Sequence, residues 1–144
     1  MRLRVEDVFR ASPERVWAVL ADWEGQAAWM ADVAWMRMIG PERELGARLA
    51  VRTRVLGISA TTDLLQVTRW EPPRRLGVEH LGVVLGTGEW VLEPVDEGTR
   101  FTWVEEVRLP LGMLGELAIR AYGPVQRAML RRSTRNLRAI VEAS

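Results

Sequence analysis

The strongest constraint in this chain is its last stretch, Leu111 to Ala143, which has the period of one long amphipathic helix. On a helical wheel of its second half, Val125, Met129, Leu130, Leu137, Ile140 and Val141 fall on one side. Arg127, Arg131, Arg135 and Arg138 fall on the other, the division that a period of about 3.6 residues imposes on a half-buried helix. Gln126 and Ser133 interrupt the apolar side. A buried polar group needs a protein partner, a water or a ligand, so these two residues point to a cavity rather than a solid core. Gly123-Pro124 should kink or divide the helix, because proline removes a backbone donor and clashes one turn back.

What precedes this helix reads mostly as strands. Leu3 to Arg10 has strand character, with Leu3, Val5 and Phe9 on one face. Ala11-Ser12-Pro13-Glu14 is a helix start: serine can cap, proline suits the first helical position and glutamate complements the positive helix end. That helix runs to about Ala21 with Val16, Trp17 and Leu20 at helical spacing, and Asp22 is placed to cap a second short helix from Glu24 to Met30. Six strands follow. Val33–Ile39 ends at Gly40-Pro41, and Ala47–Val55 alternates Leu49, Val51, Thr53 and Val55 with Arg48, Arg52 and Arg54. The alternation of Ile58–Trp70 slips near Leu64-Leu65, which predicts a bulge there. Leu76–Leu81, a glycine-bearing loop Gly82–Gly88, Glu89–Glu93 and the turn Asp96-Glu97-Gly98 come next. The last strand, Thr99–Leu109, presents Phe101, Trp103, Glu105 and Val107 on one face, and Pro110 ends it.

Sequential strands without helical crossovers favour an antiparallel meander with helices on one side, an α+β class. Such a sheet is apolar within and polar outside, which puts Arg48, Arg52 and Arg54 on its convex, wet side. At 144 residues, with no repeat or linker, the whole of 1–144 is expected to form one domain.

Composition excludes several chemistries. There is no cysteine, which removes disulfides, thiolate metal sites and thiol nucleophiles. All 20 basic residues are arginine, which removes Schiff-base chemistry and a phosphate-loop lysine. A single histidine rules out a multi-histidine zinc site, and no metal or other cofactor is expected. A net charge of +1 gives no overall pull towards nucleic acid or membrane. The charge is uneven, however: residues 112–144 hold six Arg against two Glu. No signal-like or membrane-spanning run is present, so a cytoplasmic protein without integral membrane association is expected.

Three short stretches carry a family resemblance. Ala11-Ser12-Pro13-Glu14-Arg15-Val16-Trp17-Ala18-Val19-Leu20-Ala21-Asp22, then Trp70-Glu71-Pro72-Pro73-Arg74-Arg75-Leu76, then Gly98-Thr99-Arg100 resemble, in order, the START-like, or polyketide cyclase/dehydrase and lipid-transport, superfamily. The resemblance implies a helix-grip fold: a curved seven-stranded antiparallel sheet around the long C-terminal helix, with two short helices after the first strand. It also implies a cavity for a hydrophobic small molecule. These motifs mark a cap, a turn and a hairpin, and they transfer no catalytic residue.

Several side chains are candidates for such a cavity. His80 shares strand parity with Leu76 and Val78; it is either an acid or base near neutral pH or a paired core histidine. Glu105 shares parity with Phe101 and Trp103; it is either a cavity carboxyl with a raised pKa or a rim residue, solvated or paired with arginine. Together the two would form a base and its orienter. Trp90 and Trp103 should face inward from neighbouring strands, as ligand platforms or as filling, and Trp29, Trp35 and Trp70 are similar cases. Gln126, Met129 and Ser133 lie on the helix stripe that should look into the cavity. The arginine stripe fits anionic lipid, a phosphate backbone or plain solvent. Gly82, Gly86 and Gly88 do not follow the dinucleotide pattern and suggest a gating loop. Three functions remain open: a module that binds a hydrophobic or aromatic small molecule (lipid, quinone or polyketide-like), a cyclase or dehydratase using His80 and Glu105, and a protein-interaction module. A homodimer is compatible with each.

Overall fold

The computed structural model describes residues 1–55, 57–109 and 112–143. The boundary expected at Pro110 and the side chain of Val55 lie outside the described residues. The elements are β1 (Arg2–Phe9), α1 (Pro13–Leu20), a short 3-10 helix (Glu24–Ala28), β2 (Val33–Ile39), β3 (Arg48–Val55), β4 (Ile58–Glu71), β5 (Arg75–Leu81), β6 (Leu85–Val95), β7 (Gly98–Arg108) and α2 (Gly112–Glu142). The seven strands form one antiparallel sheet in the order β1-β7-β6-β5-β4-β3-β2. This is the curved sheet gripping a long C-terminal helix that the sequence leads one to expect.

Local chemistry explains the first elements. Ser12 caps α1 by accepting the Arg15 N–H at 3.2 Å, and Pro13 opens the helix. Val16, Trp17 and Leu20 are buried on its inner side. The second short helix differs from expectation: it is a 3-10 turn that Asp22 does not cap with its side chain. Its position is held instead by Gln26, whose amide donates to the Leu20 carbonyl at 2.8 Å.

The bulges also differ from expectation. β4 carries its extra residues at Ala60, opposite the Thr53/Arg54 step, and at Thr68, opposite the Val78/Gly77 step. Leu64-Leu65 between them is regular: Leu65 is buried while Leu64 sits half-buried on the outer face. Apolar residues are common on protein surfaces, so two adjacent leucines need not signal a slip. A third bulge in β2 lets both Val33 and Met36 face inward and turns Trp35 outward, where the Arg37 guanidinium stacks 4.3 Å above its ring. Such bulges bend strands and leave room beneath the sheet.

Gly86 and Gly88 lie within β6, leaving 82–84 as the β5–β6 turn. The predicted loop is therefore largely strand, because glycine weakens strand propensity without preventing pairing when close cross-strand approach is needed.

α2 runs unbroken through Pro124 and is not divided there. Leu130, Leu137 and Val141 are buried against the sheet, and Arg127, Arg131 and Arg135 are exposed. Arg138 departs from that exposed row. It is half-buried between Asp7 at 3.5 Å and Glu142 at 3.0 Å, while Glu142 accepts the Arg10 N–H at 2.9 Å. These contacts pin the end of α2 to the corner after β1.

Ser133 resolves part of the polar puzzle on this helix. It is 1% exposed and its hydroxyl accepts the Ala31 N–H at 2.8 Å. Ser133→Ala is expected to strand that N–H and cost about 1–3 kcal/mol in urea unfolding, the price of an unmet buried donor. A loss below about 0.3 kcal/mol would show that the Ala31 N–H finds another acceptor.

Candidate functional site

Between the sheet and α2 lies a cavity of about 340 Å³. Its walls are mostly apolar: Val51, Leu65, Val78 and Val107 from the strands, Ile119 and Leu130 from α2. Trp23, Trp90 and Trp103 add aromatic surface. A space of this size and lining is of the kind that encloses small organic ligands.

Of the candidates named from sequence, His80, Trp90, Trp103, Glu105 and Gln126 line the cavity. Trp29, Met129 and Ser133 are not among the lining residues. Trp29 is 1% exposed and supports the wall from behind, its ring 5.6 Å from that of Trp90 and 6.0 Å from that of Trp103. Its indole N–H finds no acceptor among the described residues. Met129 is half-buried beside the buried row of α2, and Ser133 is committed to Ala31. A helix one turn past the cavity packs on protein instead, which explains why the stripe does not open into it along its whole length.

The polar end of the cavity is built across β6. Strands two apart in a sheet are separated by roughly 9–10 Å. Yet His80 Nε2 on β5 lies 3.0 Å from Glu105 Oε2 on β7. Gly88 on the intervening strand pairs with both Val78 and Glu105. A Cβ there would sit 3.1 Å from Glu105 Oε1, so the missing side chain gives the carboxylate its place. Trp103, two residues before Glu105, donates its indole N–H to Glu105 Oε1 at 3.0 Å. Glu105 is thus neither at a solvated rim nor paired with arginine; it is 8% exposed and held by an imidazole and an indole.

Burial alone would lower the pKa of His80, but the hydrogen bond and charge of Glu105, with Asp63 and Asp32 behind it, outweigh burial and hold the ring above its ordinary value. The arrangement is an imidazole with Nε2 fixed to a carboxylate, which leaves Nδ1 as the nitrogen able to exchange a proton with a bound molecule.

Asp32, Asp63 and Tyr122 also line the cavity and are not among the candidates named from sequence. Asp63 sits between Thr61 and Leu65, which share its strand parity and also line the cavity, so the alternation held a signal. Its carboxylate accepts the Val83 N–H at 3.0 Å and anchors the β5–β6 turn. Asp32 precedes β2 in an irregular segment with no period to read. Burial raises its pKa, Glu105 adds to the rise, and its own N–H, the Gln126 amide and His80 oppose it. Burial, then the charge of Asp32, raises the Tyr122 phenol as well. Among the described residues no group of His, Asp and Glu is arranged to hold a metal ion, and no helix is long and apolar enough to cross a membrane.

A bent antiparallel sheet closed by one long helix over a tryptophan-lined hollow defines a helix-grip cavity protein. The sequence profile described as "Polyketide cyclase / dehydrase and lipid transport" matches residues 1–142, and the chain belongs to that family. No curated protein matches it in sequence. Solved structures share its fold. TTHA0849 from Thermus thermophilus has a TM-score of 0.81 at 21% identity, covering 98% of this chain and 97% of that one. The di-domain ARO/CYC BexL from the BE-7585A biosynthetic pathway has a TM-score of 0.80 at 17% identity, covering 100% of this chain and 50% of that one. The Aha1 dimer from Colwellia psychrerythraea has a TM-score of 0.68 at 15% identity, covering 99% and 96%. At such identities the likeness concerns the fold alone.

Proposed function

We propose that this protein binds a hydrophobic or aromatic small molecule in the cavity under the sheet and holds it without chemical change. The observation that carries the reading is the cavity of about 340 Å³, with apolar walls, inward tryptophans and a few polar groups gathered at His80, Glu105 and Asp32. Few, placed polar groups in an apolar pocket are what orient a ligand. Native mass spectrometry of the purified protein should reveal a retained small molecule. Lipids, quinones or polyketide-like aromatics should quench its tryptophan fluorescence saturably, with Trp90 and Trp103 as reporters. Val78→Phe, which fills the cavity from β5, is expected to reduce such binding at least tenfold. Undiminished binding to a folded Val78→Phe protein would place the ligand elsewhere and end this reading.

The His80–Glu105 contact favours a second reading, an enzyme that moves protons on a polyketide-like substrate. Glu105 would orient the ring and favour its protonated form, and Nδ1 would face the substrate. The neighbouring fold of an ARO/CYC protein is consistent with it. Loss of turnover in His80→Ala on a substrate that still binds would support this role, and unchanged turnover would remove it.

A further inference from the structure

The chain contains 20 arginines, yet among the described residues none lines the cavity. Three carboxyl groups do: Asp32, Asp63 and Glu105. Against them stand the imidazole of His80, held above its ordinary pKa, and the amino group of Met1. Met1 also lines the cavity, and its amino group is engaged by the Val107 carbonyl, to which it donates at 2.8 Å. The lining is therefore rich in carboxyl groups in a protein whose net charge is +1. Two of these carboxylates already have firm partners. Glu105 is held by Trp103 and His80, and Asp63 by the Val83 N–H and the Thr61 hydroxyl. Asp32 has its own backbone N–H, the Gln126 amide and the more distant charge of His80 to ease it, and burial together with Glu105 outweighs them.

A buried charge is costly unless it is paired, and a cavity carboxyl without a close cationic partner favours a ligand that supplies one. The tryptophans offer large apolar surface to the rest of such a ligand. An acidic ligand would meet like charges and no guanidinium to receive it. We infer that the ligand of this cavity is an apolar body bearing one protonated amine, with the ammonium beside Asp32 and the hydrocarbon against Trp90 and Trp103. This assignment rests on the binding function proposed above and narrows it to a charge class.

Three probes with one body and different heads test it by titration calorimetry at pH 7: 2-(2-naphthyl)ethylamine, 2-(2-naphthyl)ethanol and 2-naphthylacetic acid. The amine is expected to bind at least tenfold tighter than the alcohol, and the acid weakest of the three. In Asp32→Asn the gap between amine and alcohol should close to about threefold or less. Should that variant not fold, judged by near-ultraviolet circular dichroism, the order of the three probes on the native protein still decides. Equal binding of amine and alcohol, preference for the acid, or an undiminished gap in a folded Asp32→Asn protein overturns the charge assignment while leaving the cavity function standing. Binding of none of the three overturns both.

Discussion

Trp103→Ala is expected to destabilise the protein by about 3–5 kcal/mol from lost packing and the void it leaves, with a further cost at Glu105. The ring is 4% exposed and lies where the aromatic groups meet, with centroids 5.7 Å from Trp90, 6.0 Å from Trp29 and 6.3 Å from Phe101. All three contacts are edge-on, at 80°, 70° and 70°, the geometry aromatic pairs prefer. Truncation also removes the indole N–H that Glu105 accepts, and an unmet buried acceptor costs about 1–3 kcal/mol more. A domain of ordinary stability has only about 5–15 kcal/mol in total. The variant should therefore sit close to its unfolding midpoint at room temperature. Trp103→Phe separates the two contributions: it keeps an aromatic group among the others and loses the donor, so it should show mainly the smaller, polar cost. Urea unfolding of both variants measures the difference. A loss below about 1.5 kcal/mol for Trp103→Ala would mean that the neighbouring rings collapse into the space and that the aromatic cluster does not define the cavity wall.

The parts of this molecule legible in the sequence are those written in a single period. Ser12-Pro13 fixes the start of α1, and Leu3, Val5 and Phe9 fix the inner face of β1. The inward face of β7, Phe101 to Val107, follows from alternation alone, and it placed Trp103 and Glu105 correctly. What was hidden depends on contacts between distant segments. The polar side chain of Ser133 is satisfied by a backbone N–H over a hundred positions earlier, which no helical wheel contains. Gly88 reads locally as loop, yet its function is to be absent beneath Glu105, a fact that exists only once β5, β6 and β7 are side by side. Asp32 has no periodic context at all, so its place in the cavity wall comes from the turn that precedes β2. The bulge in β2 shifts parity by one, which is why Trp35 faces out although the simple alternation allowed it inside.

The second large effect concerns the only histidine, which makes it readable without assignment: one imidazole resonance titrates in the proton spectrum. In the native protein its midpoint should lie above the ordinary value of about 6.5. Glu105→Gln keeps the shape of the side chain and removes its charge. Burial, the largest influence on the ring, then faces only Asp63 and Asp32, and the midpoint is expected to fall below 6.5. Stability follows with a definite sign. A ring whose folded pKa is raised stabilises the native state fully below about pH 6.5, and that contribution is lost as pH rises through the folded pKa. Native stability should therefore decline as pH increases through this window. In Glu105→Gln the raised pKa is gone, and stability should instead decline as pH falls below about 6.5, where the unfolded chain takes up a proton that the buried ring resists. Asp32, also raised, contributes in the native sense but from its ordinary value of 3.8 upwards, and Glu105 is one cause of that rise, so the imidazole resonance, which reports the ring alone, separates the two. A midpoint unmoved by Glu105→Gln would assign the ring's proton to Asp63 and Asp32. The 3.0 Å contact would then be a geometric neighbour and not the group that sets the charge of His80.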